Sequence, residues 1–397
     1  MMNKKHLELV QTVLDDAVRN ADVAGASCLV WQGGAEQGFF SAGFADCAAG
    51  RAFSRDTICR LYSMSKPITS AAVFSLVEKG KIDLLDDVAT YLPVFKNPRV
   101  CTPEGVVKSP RPVTIRDLLN MTSGYSYGGT ENESERGILQ LVVDMNRSLE
   151  GSQEISTQTF AERAAQLPLG FVPGTDYAYG ISADILGAVV EAVSGMQFSE
   201  YLQKVLFEPM GMTDTGFFVP EEKLPRFAEV YQHVSGGKLT VFKHPNLGIR
   251  YRADRSPAFE SGGAGLTGTI DDYMTFCKML LGKGVVPGAG SPRILQEETV
   301  RFMSTQHISP SLQAAFERKL PHLSGYSYGN LMRIMTDPSQ SATIARAGEF
   351  GWDGWLGTFM LVDPSADLAV VYFMQCRDSG FTPTMRRVKN IVYASLG

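Results

Sequence analysis

The chain of 397 residues has few of the side chains from which metal sites and disulfide frameworks are built. It contains five histidines and six cysteines. The histidines are widely dispersed, and none forms the H-E-x-x-H pattern of a zinc hydrolase. The cysteines, at positions 28, 47, 59, 101, 277 and 376, include no C-x-x-C pair. Several lie in apolar runs, where a buried free thiol is the usual state. We therefore expect a reduced protein with neither metal nor cofactor.

The sequence also lacks an excess of positive charge and a long apolar run. The formal net charge is −5, which offers no basic surface for nucleic acid. No stretch approaches the roughly 20 apolar residues that cross a bilayer. The segment from Met1 to Ala21 mixes charged and apolar residues at helical spacing, unlike a signal peptide. We expect a cytoplasmic protein that binds a small molecule and has neither nucleic acid nor a membrane as its partner.

The order of apolar runs predicts the architecture. Strand-like runs occupy 26–32 and 37–44 near the start, then 326–335, 355–362 and 368–374 near the end. Helices are predicted at 1–21, 64–79, 114–121, 182–193 and 382–396. This order predicts an α/β (α+β) fold in which both termini build one antiparallel sheet flanked by helices. We expect 1–85 and 285–397 to form that part, 86–284 to form a mostly helical insertion, and a cleft between the two.

Ser63 and Lys66 form an S-x-x-K pattern at the start of the predicted helix 64–79. At this spacing the two side chains share one face, so the amine can take the proton of the hydroxyl. A lysine in a first helical turn opposes the helix dipole, which argues against an ordinary surface residue. A second match, Ser235 to Lys238, encloses two glycines and predicts a hairpin turn instead.

Two G-x-S-x-G segments, at 124–128 and 325–329, match the nucleophile elbow of α/β-hydrolases. That elbow lies between a strand and a helix, whereas the first segment follows a predicted helix and the second precedes a strand-like run. The chain also lacks the alternating strands and helices of a parallel sheet. Since five histidines could still supply a triad partner, this alternative stays open.

Two downstream segments could complete a site with the serine and lysine. Pro173 and Gly174 begin a turn that would hold Tyr179 on a short loop before the helix at 182. A tyrosine can pass a proton to a leaving group, although most tyrosines simply pack. The segment 349–357 carries glycines around Trp352 and Trp355, where a ligand could approach the backbone closely.

In combination, these elements resemble the superfamily of serine β-lactamases, DD-peptidases and family VIII carboxylesterases, especially its class C-like branch. The segment 61–66 resembles the nucleophile helix, 86–93 the D-x-V-x-x-Y-L-P stretch, and 114–124 the T-I-R-x-L-L-x-H-T-S-G segment. Tyr179 matches the catalytic tyrosine, and 352–354 occupies the place of the K-T-G triad. The resemblance spans most of the chain and implies a β-lactamase/transpeptidase-like fold.

The resemblance implies a role for each residue. Ser63 would attack the substrate, Lys66 would accept its proton, and Tyr179 would protonate the leaving group. The backbone N–H groups of Ser63 and Trp355 would form the oxyanion hole. The residues expected to contact substrate are Trp352, Asp353, Gly354, Tyr125 and Tyr127.

Two departures from the β-lactamase pattern bear on the substrate. Ile181 replaces the asparagine of Y-x-N, and Trp352 replaces the lysine of K-T-G, while Asp353 adds a negative charge. A β-lactam or peptide carboxylate therefore lacks its usual cation at this position. We expect a serine hydrolase of small carboxylic esters that works through an acyl-enzyme. The alternatives are a β-lactamase or DD-peptidase-like amide hydrolase, an acyltransferase, and a non-catalytic ligand-binding protein on the same fold.

Overall fold

The computed structural model describes residues 2–151, 153–288 and 290–397. Its central feature is an antiparallel sheet of eight strands. Within the described ranges the strands are β1 (Gly25–Gln32), β2 (Ala35–Asp46), β3 (Arg51–Ala52), β4 (Cys59–Arg60), β5 (Arg99–Thr102), β6 (Gly105–Lys108), β7 (Tyr231–Val234), β8 (Lys238–Val241), β9 (Thr267–Gly268), β10 (Tyr326–Gly329), β11 (Met332–Met335), β12 (Phe350–Asp353), β13 (Phe359–Asp363) and β14 (Leu368–Met374). The strands of the large sheet follow the order β10-β11-β12-β13-β14-β1-β2-β3.

The two ends of the chain meet at the centre of this sheet. Strand β1 pairs antiparallel with β14, with Leu29 opposite Val371. Alternate residues of β14 enter two different cores: Val370 and Tyr372 belong to one cluster of buried side chains, and Val371 belongs to the other. Since both faces of β14 are covered, this strand is apolar throughout. The predicted fold, a β-lactamase/transpeptidase-like sheet built from both termini and flanked by helices, is confirmed.

Helices cover both faces of the sheet. Helices α2 and α13 pack on one face, and α10 packs against β13, β14 and β1. The helices are α1 (Lys4–Leu7), α2 (Leu9–Arg19), α3 (Ser65–Val77), α4 (Ile115–Leu119), α5 (Glu133–Ser148), α6 (Thr157–Ala165), α7 (Ser182–Ser194), α8 (Phe198–Leu202), α9 (Glu208–Met210), α10 (Ile270–Leu281), α11 (Glu297–Thr305), α12 (Pro310–Lys319) and α13 (Pro383–Ala394). Across the described ranges, none of them combines the length and apolar composition needed to cross a bilayer.

Several predicted elements differ in detail from the observed ones. The run 326–335 forms two strands, because Asn330 and Leu331 adopt φ values of 50° and 64° and turn the chain back. The run 355–362 becomes a strand only at Phe359, after a turn that follows β12. The first helix divides into α1 and α2, and Met1 lies outside the described residues. The middle of the chain also contains short hairpins, including β7–β8 around the second S-x-x-K match.

Candidate active site

Ser63 lies in a 3-10 turn, Tyr62–Met64, that leads directly into α3. Helix α3 has apolar residues on all sides, and its residues from Ser65 to Leu76 are buried, so it runs through the centre of the molecule. Tyr62 has a φ of 46°, which costs a non-glycine residue roughly 1–2 kcal/mol. Strained backbone of this kind is often found where a side chain must be presented for function. The turn leaves Ser63 partly exposed at the mouth of the helix.

Lys66 is completely buried, and its amine makes three polar contacts. Its Nζ lies 3.1 Å from Ser63 Oγ, 2.8 Å from the hydroxyl of Tyr127 and 2.9 Å from the carbonyl oxygen of Gly263. Burial lowers the pKa of Lys66 from 10.5 to about 7, and the charges of Asp184 and Asp353 partly offset that effect. A substantial fraction of Lys66 is therefore a neutral amine at neutral pH, able to accept the Ser63 proton.

Asp184 supports the position of Lys66 from behind. It lies on α7 with 3% of its surface exposed, and its Oδ1 accepts hydrogen bonds from Ser261 Oγ at 2.5 Å and from the Gly263 amide at 3.0 Å. The carbonyl of that same Gly263 accepts from Lys66. Sequence reasoning did not identify Asp184. Its signal was an acidic residue in the first turn of a largely apolar helix.

Tyr179 lies close to both Lys66 and Trp352. Its hydroxyl accepts a hydrogen bond of 2.9 Å from the indole Nε1 of Trp352, and its ring centroid is 4.6 Å from Lys66 Nζ. Burial raises the pKa of Tyr179, and hydrogen bonding by Ser63 and Trp352 partly offsets this. The adjacent Gly180 is required by close packing, because a Cβ there would lie 2.3 Å from a backbone oxygen of the 125–126 segment.

The turn after β12 packs against Leu61 and Tyr62, the two residues before the serine. Gly354 N–H donates to the carbonyl of Thr358 at 2.7 Å, and Thr358 Oγ1 donates to the carbonyl of Leu61 at 2.9 Å. A Cβ at Gly354 would lie 2.4 Å from Leu61 O, so glycine here serves the contact between two backbone segments. Among the described residues, the Trp355 amide has no hydrogen-bond acceptor. The Trp355 amide is thus free to donate to an acceptor outside the described residues.

Three of the residues predicted to contact substrate have other partners. Tyr125 is 1% exposed and packs edge-on against Phe95, so its ring belongs to the core. Gly354 is packed against the Leu61 carbonyl, as described above, where we expected a ligand. Asp353 accepts a hydrogen bond of 2.5 Å from Arg333, which is itself 1% exposed. The negative charge that Asp353 was expected to add is paired with Arg333 inside the protein.

The two G-x-S-x-G segments do not have the surroundings of a nucleophile elbow. Ser126 lies in a loop after α4, and its Oγ accepts from the Gly128 amide at 3.0 Å. Ser327 lies within β10 with 1% of its surface exposed. Since an elbow requires an exposed serine between a strand and a helix, these positions do not support the α/β-hydrolase alternative.

Known proteins with similar sequences and structures match nearly the whole chain. An uncharacterised protein of Mycobacterium tuberculosis is 31% identical over 366 residues, which cover 90% of this chain and 87% of that protein. Esterase EstB of Burkholderia gladioli is 28% identical over 400 residues, covering 97% of this chain and 94% of the esterase. EstCE1, described as a hydrolase with promiscuous acyltransferase activity, superimposes with a TM-score of 0.80 at 25% identity and covers 99% of both chains.

The agreement extends to a family model. The model described as Beta-lactamase matches residues 10–393, which include every residue of the site. The geometry around Ser63 and Lys66 agrees with that match, since it joins an S-x-x-K serine to a buried amine. The chain therefore belongs to the beta-lactamase family.

Proposed function

We propose that this serine hydrolase cleaves small, neutral carboxylic esters through an acyl-enzyme formed on Ser63. The observation that carries the proposal is the position of Lys66 Nζ, 3.1 Å from Ser63 Oγ in a fully buried setting. Burial lowers the pKa of this amine to about 7, which suits a general base near neutral pH. The names of EstB and EstCE1 support ester hydrolysis as the reaction.

In the proposed first step, Lys66 accepts the Ser63 proton as Oγ attacks the ester carbonyl carbon. The amides of Ser63 and Trp355 stabilise the negative oxygen of the tetrahedral intermediate. As the bond between carbonyl carbon and alcohol oxygen breaks, Tyr179 donates a proton to that oxygen. The Lys66 ammonium then returns a proton to Tyr179. In the second step, water loses a proton to this pair and attacks the acyl carbon. The bond between that carbon and Ser63 Oγ then breaks, the pair returns the proton to Oγ, and the carboxylic acid is released.

The residues of β12 favour an uncharged substrate. The Trp352 indole donates a hydrogen bond to the hydroxyl of Tyr179. In family members with the K-T-G triad, a lysine at this position binds a substrate carboxylate. The carboxylate of the neighbouring Asp353 is paired with Arg333. Charge-assisted hydrogen bonds are worth about 1.5–3 kcal/mol. Without that contact, an anionic β-lactam should lose roughly tenfold to a hundredfold in kcat/KM relative to a neutral ester.

Acyl transfer is the second candidate function. EstCE1, which shares the whole fold, is described as having promiscuous acyltransferase activity. An alcohol in place of water would use the same residues to attack the acyl-enzyme.

We also propose a reducing compartment such as the cytoplasm, because all six cysteines are free thiols.

One enzyme preparation assayed on neutral esters, a chromogenic cephalosporin and a D-alanyl-D-alanine peptide tests the proposal. We expect the neutral esters to be preferred by a wide margin, and Ser63→Ala to abolish all turnover. Trp352→Lys should narrow the gap in kcat/KM between a p-nitrophenyl ester, which needs little protonation of its leaving group, and the cephalosporin. Trp352→Phe, the matched variant without a cation, should leave that gap nearly unchanged. Equal kcat/KM for cephalosporin and ester in the wild type would overturn the assignment. Product analysis with an added alcohol measures acyl transfer.

A further inference from the structure

A tight turn at 246–249 holds a leucine in an unusual conformation close to the nucleophile. Asn246 and Ile249 exchange backbone hydrogen bonds of 3.2 and 2.9 Å around the two central residues. Leu247 and Gly248 have φ values of 54° and 73°, the arrangement of a type I′ turn. Asn, Asp or Gly normally occupies the first of these central positions. A leucine there indicates that its side chain serves a purpose that outweighs the backbone cost.

The turn is anchored to the helical part of the chain. The Gly248 amide donates to Asn146 Oδ1 on α5 at 2.9 Å. A Cβ at Gly248 would lie 3.0 Å from Met145 and 3.1 Å from Phe259, so the backbone packs closely there. The position of Leu247 is therefore fixed by neighbours on both sides, and its presentation does not depend on a free loop.

Leu247 belongs to an apolar surface that adjoins the proposed oxyanion hole. It packs in one cluster with Tyr62, the residue before the nucleophile, and with Trp355, whose amide we assign to the oxyanion hole. The ring of Trp355 lies 5.0 Å from that of Tyr62 and 5.8 Å from that of Phe242. Some members remain half-buried: Phe242, Leu247, Ile249, Tyr251 and Trp355. Partly exposed apolar side chains beside a reactive group are suited to bind an apolar part of the substrate.

The position of the proton donor indicates which part of the substrate this is. Tyr179 must reach the oxygen of the leaving alcohol, so the alcohol lies on the side of Tyr179 and Trp352. Those two residues pack with the main core, in a cluster separate from that of Leu247. The apolar surface around Leu247 is thus on the side that remains for the acyl group.

We infer that Leu247, together with Phe242 and Ile249, forms the wall of an acyl pocket that selects apolar acyl groups larger than acetyl. This inference rests on the proposed esterase function and adds its substrate class. Each additional methylene in an apolar pocket changes kcat/KM by about tenfold or more. A butanoyl or hexanoyl ester should accordingly be a better substrate than the acetyl ester of the same alcohol.

The test compares kcat/KM for p-nitrophenyl acetate, butanoate and hexanoate in the wild type and in Leu247→Asn. Asparagine suits a positive φ, so this variant keeps the turn. We expect the ratio of hexanoate to acetate to fall about tenfold or more, with an unchanged or higher Tm. An alcohol series, ethyl to hexyl acetate, should keep its wild-type ratios. Lys283→Asn is the control, because Lys283 also has a positive φ, 53°, on an exposed turn after α10.

An unchanged hexanoate to acetate ratio in Leu247→Asn would overturn the acyl pocket, and so would a loss confined to the alcohol series. Ser63 labelling separates this failure from that of the esterase proposal. If the wild type hydrolyses esters and Ser63 is acylated, only the pocket assignment fails. If no ester is hydrolysed and Ser63 is not acylated, both proposals fail.

Discussion

The indole N–H of Trp352 donates a hydrogen bond of 2.9 Å to the hydroxyl of Tyr179. This contact connects β12, which carries Trp352 at the position of the K-T-G lysine, with Tyr179, the proposed proton donor. Burial raises the pKa of Tyr179, and the indole partly offsets that effect because it stabilises the phenolate. We therefore expect Trp352 to act on Tyr179, the proposed proton donor, whereas a lysine at this position would act on a substrate carboxylate.

Trp352→Phe should therefore impair protonation of the leaving group. Phenylalanine keeps an aromatic ring but loses the indole N–H, so we expect kcat on an alkyl ester to fall about tenfold, in line with one neutral hydrogen bond of about 1.4 kcal/mol. A p-nitrophenyl ester needs little protonation and should lose much less. Trp31→Phe, on β1, serves as the matched control. Equal losses on both esters would contradict the assigned role of Trp352.

The pH dependence of hydrolysis should report Lys66. Burial lowers its pKa to about 7, and the protonated amine cannot accept the Ser63 proton. The kcat/KM for an uncharged ester should level off above that pH and fall about tenfold per pH unit well below it. A rate that rises as pH falls through 7 would show that Lys66 does not act as the base.

Asp184→Asn should shift this acid limb to lower pH. The charge of Asp184 raises the pKa of Lys66, so its removal leaves the amine easier to deprotonate. The same substitution also weakens the hydrogen bonds to Ser261 and Gly263, and kcat should fall. If kcat falls but the acid limb of the kcat/KM profile stays at the same pH, Asp184 has only a structural role. The readout is kcat/KM between pH 5 and pH 9, with Asp184→Glu as the rescue variant.

Arg333→Met should destabilise the fold, because it leaves the Asp353 carboxylate without its partner. Arg333 is 1% exposed and donates to Asp353 at 2.5 Å. Breaking a buried pair costs about 3–5 kcal/mol of the free energy of unfolding. Urea denaturation measures this, and a second change, Asp353→Asn, should recover much of the loss. Arg19→Met removes an exposed pair with Asp16 and should cost less than about 1 kcal/mol.

Local patterns predicted the elements that carry the site. Helix α7 begins at Ser182 and ends before a left-handed Gly195, as the sequence indicates. The helix predicted at 114–121 is observed as α4, and Thr114 and Asp117 form a capping box at its start. The spacing of Ser63 and Lys66 predicted their contact, because three residues of a helix place both side chains on one face. Each of these features depends on residues close together in the chain.

Contacts between distant residues escaped prediction. The Gly263 carbonyl that accepts from Lys66 is 197 residues away in the chain, and Arg333 pairs with Asp353 from the neighbouring strand. The turn that carries Leu247 is anchored to Asn146 of α5, 102 residues away from Gly248 in the chain. Periodicity and turn signals carry no information about such pairings. They also could not show that Tyr125, which we expected to line the site, lies in the core.

The most direct test of the account is covalent labelling with a fluorophosphonate, followed by intact mass and peptide mapping. Lys66 lies 3.1 Å from Ser63 Oγ and should make that hydroxyl the reactive one. We expect a single adduct on Ser63, loss of hydrolysis in proportion to labelling, and no adduct in Ser63→Ala. An adduct on Ser126 or Ser327 that persists in Ser63→Ala would contradict the account.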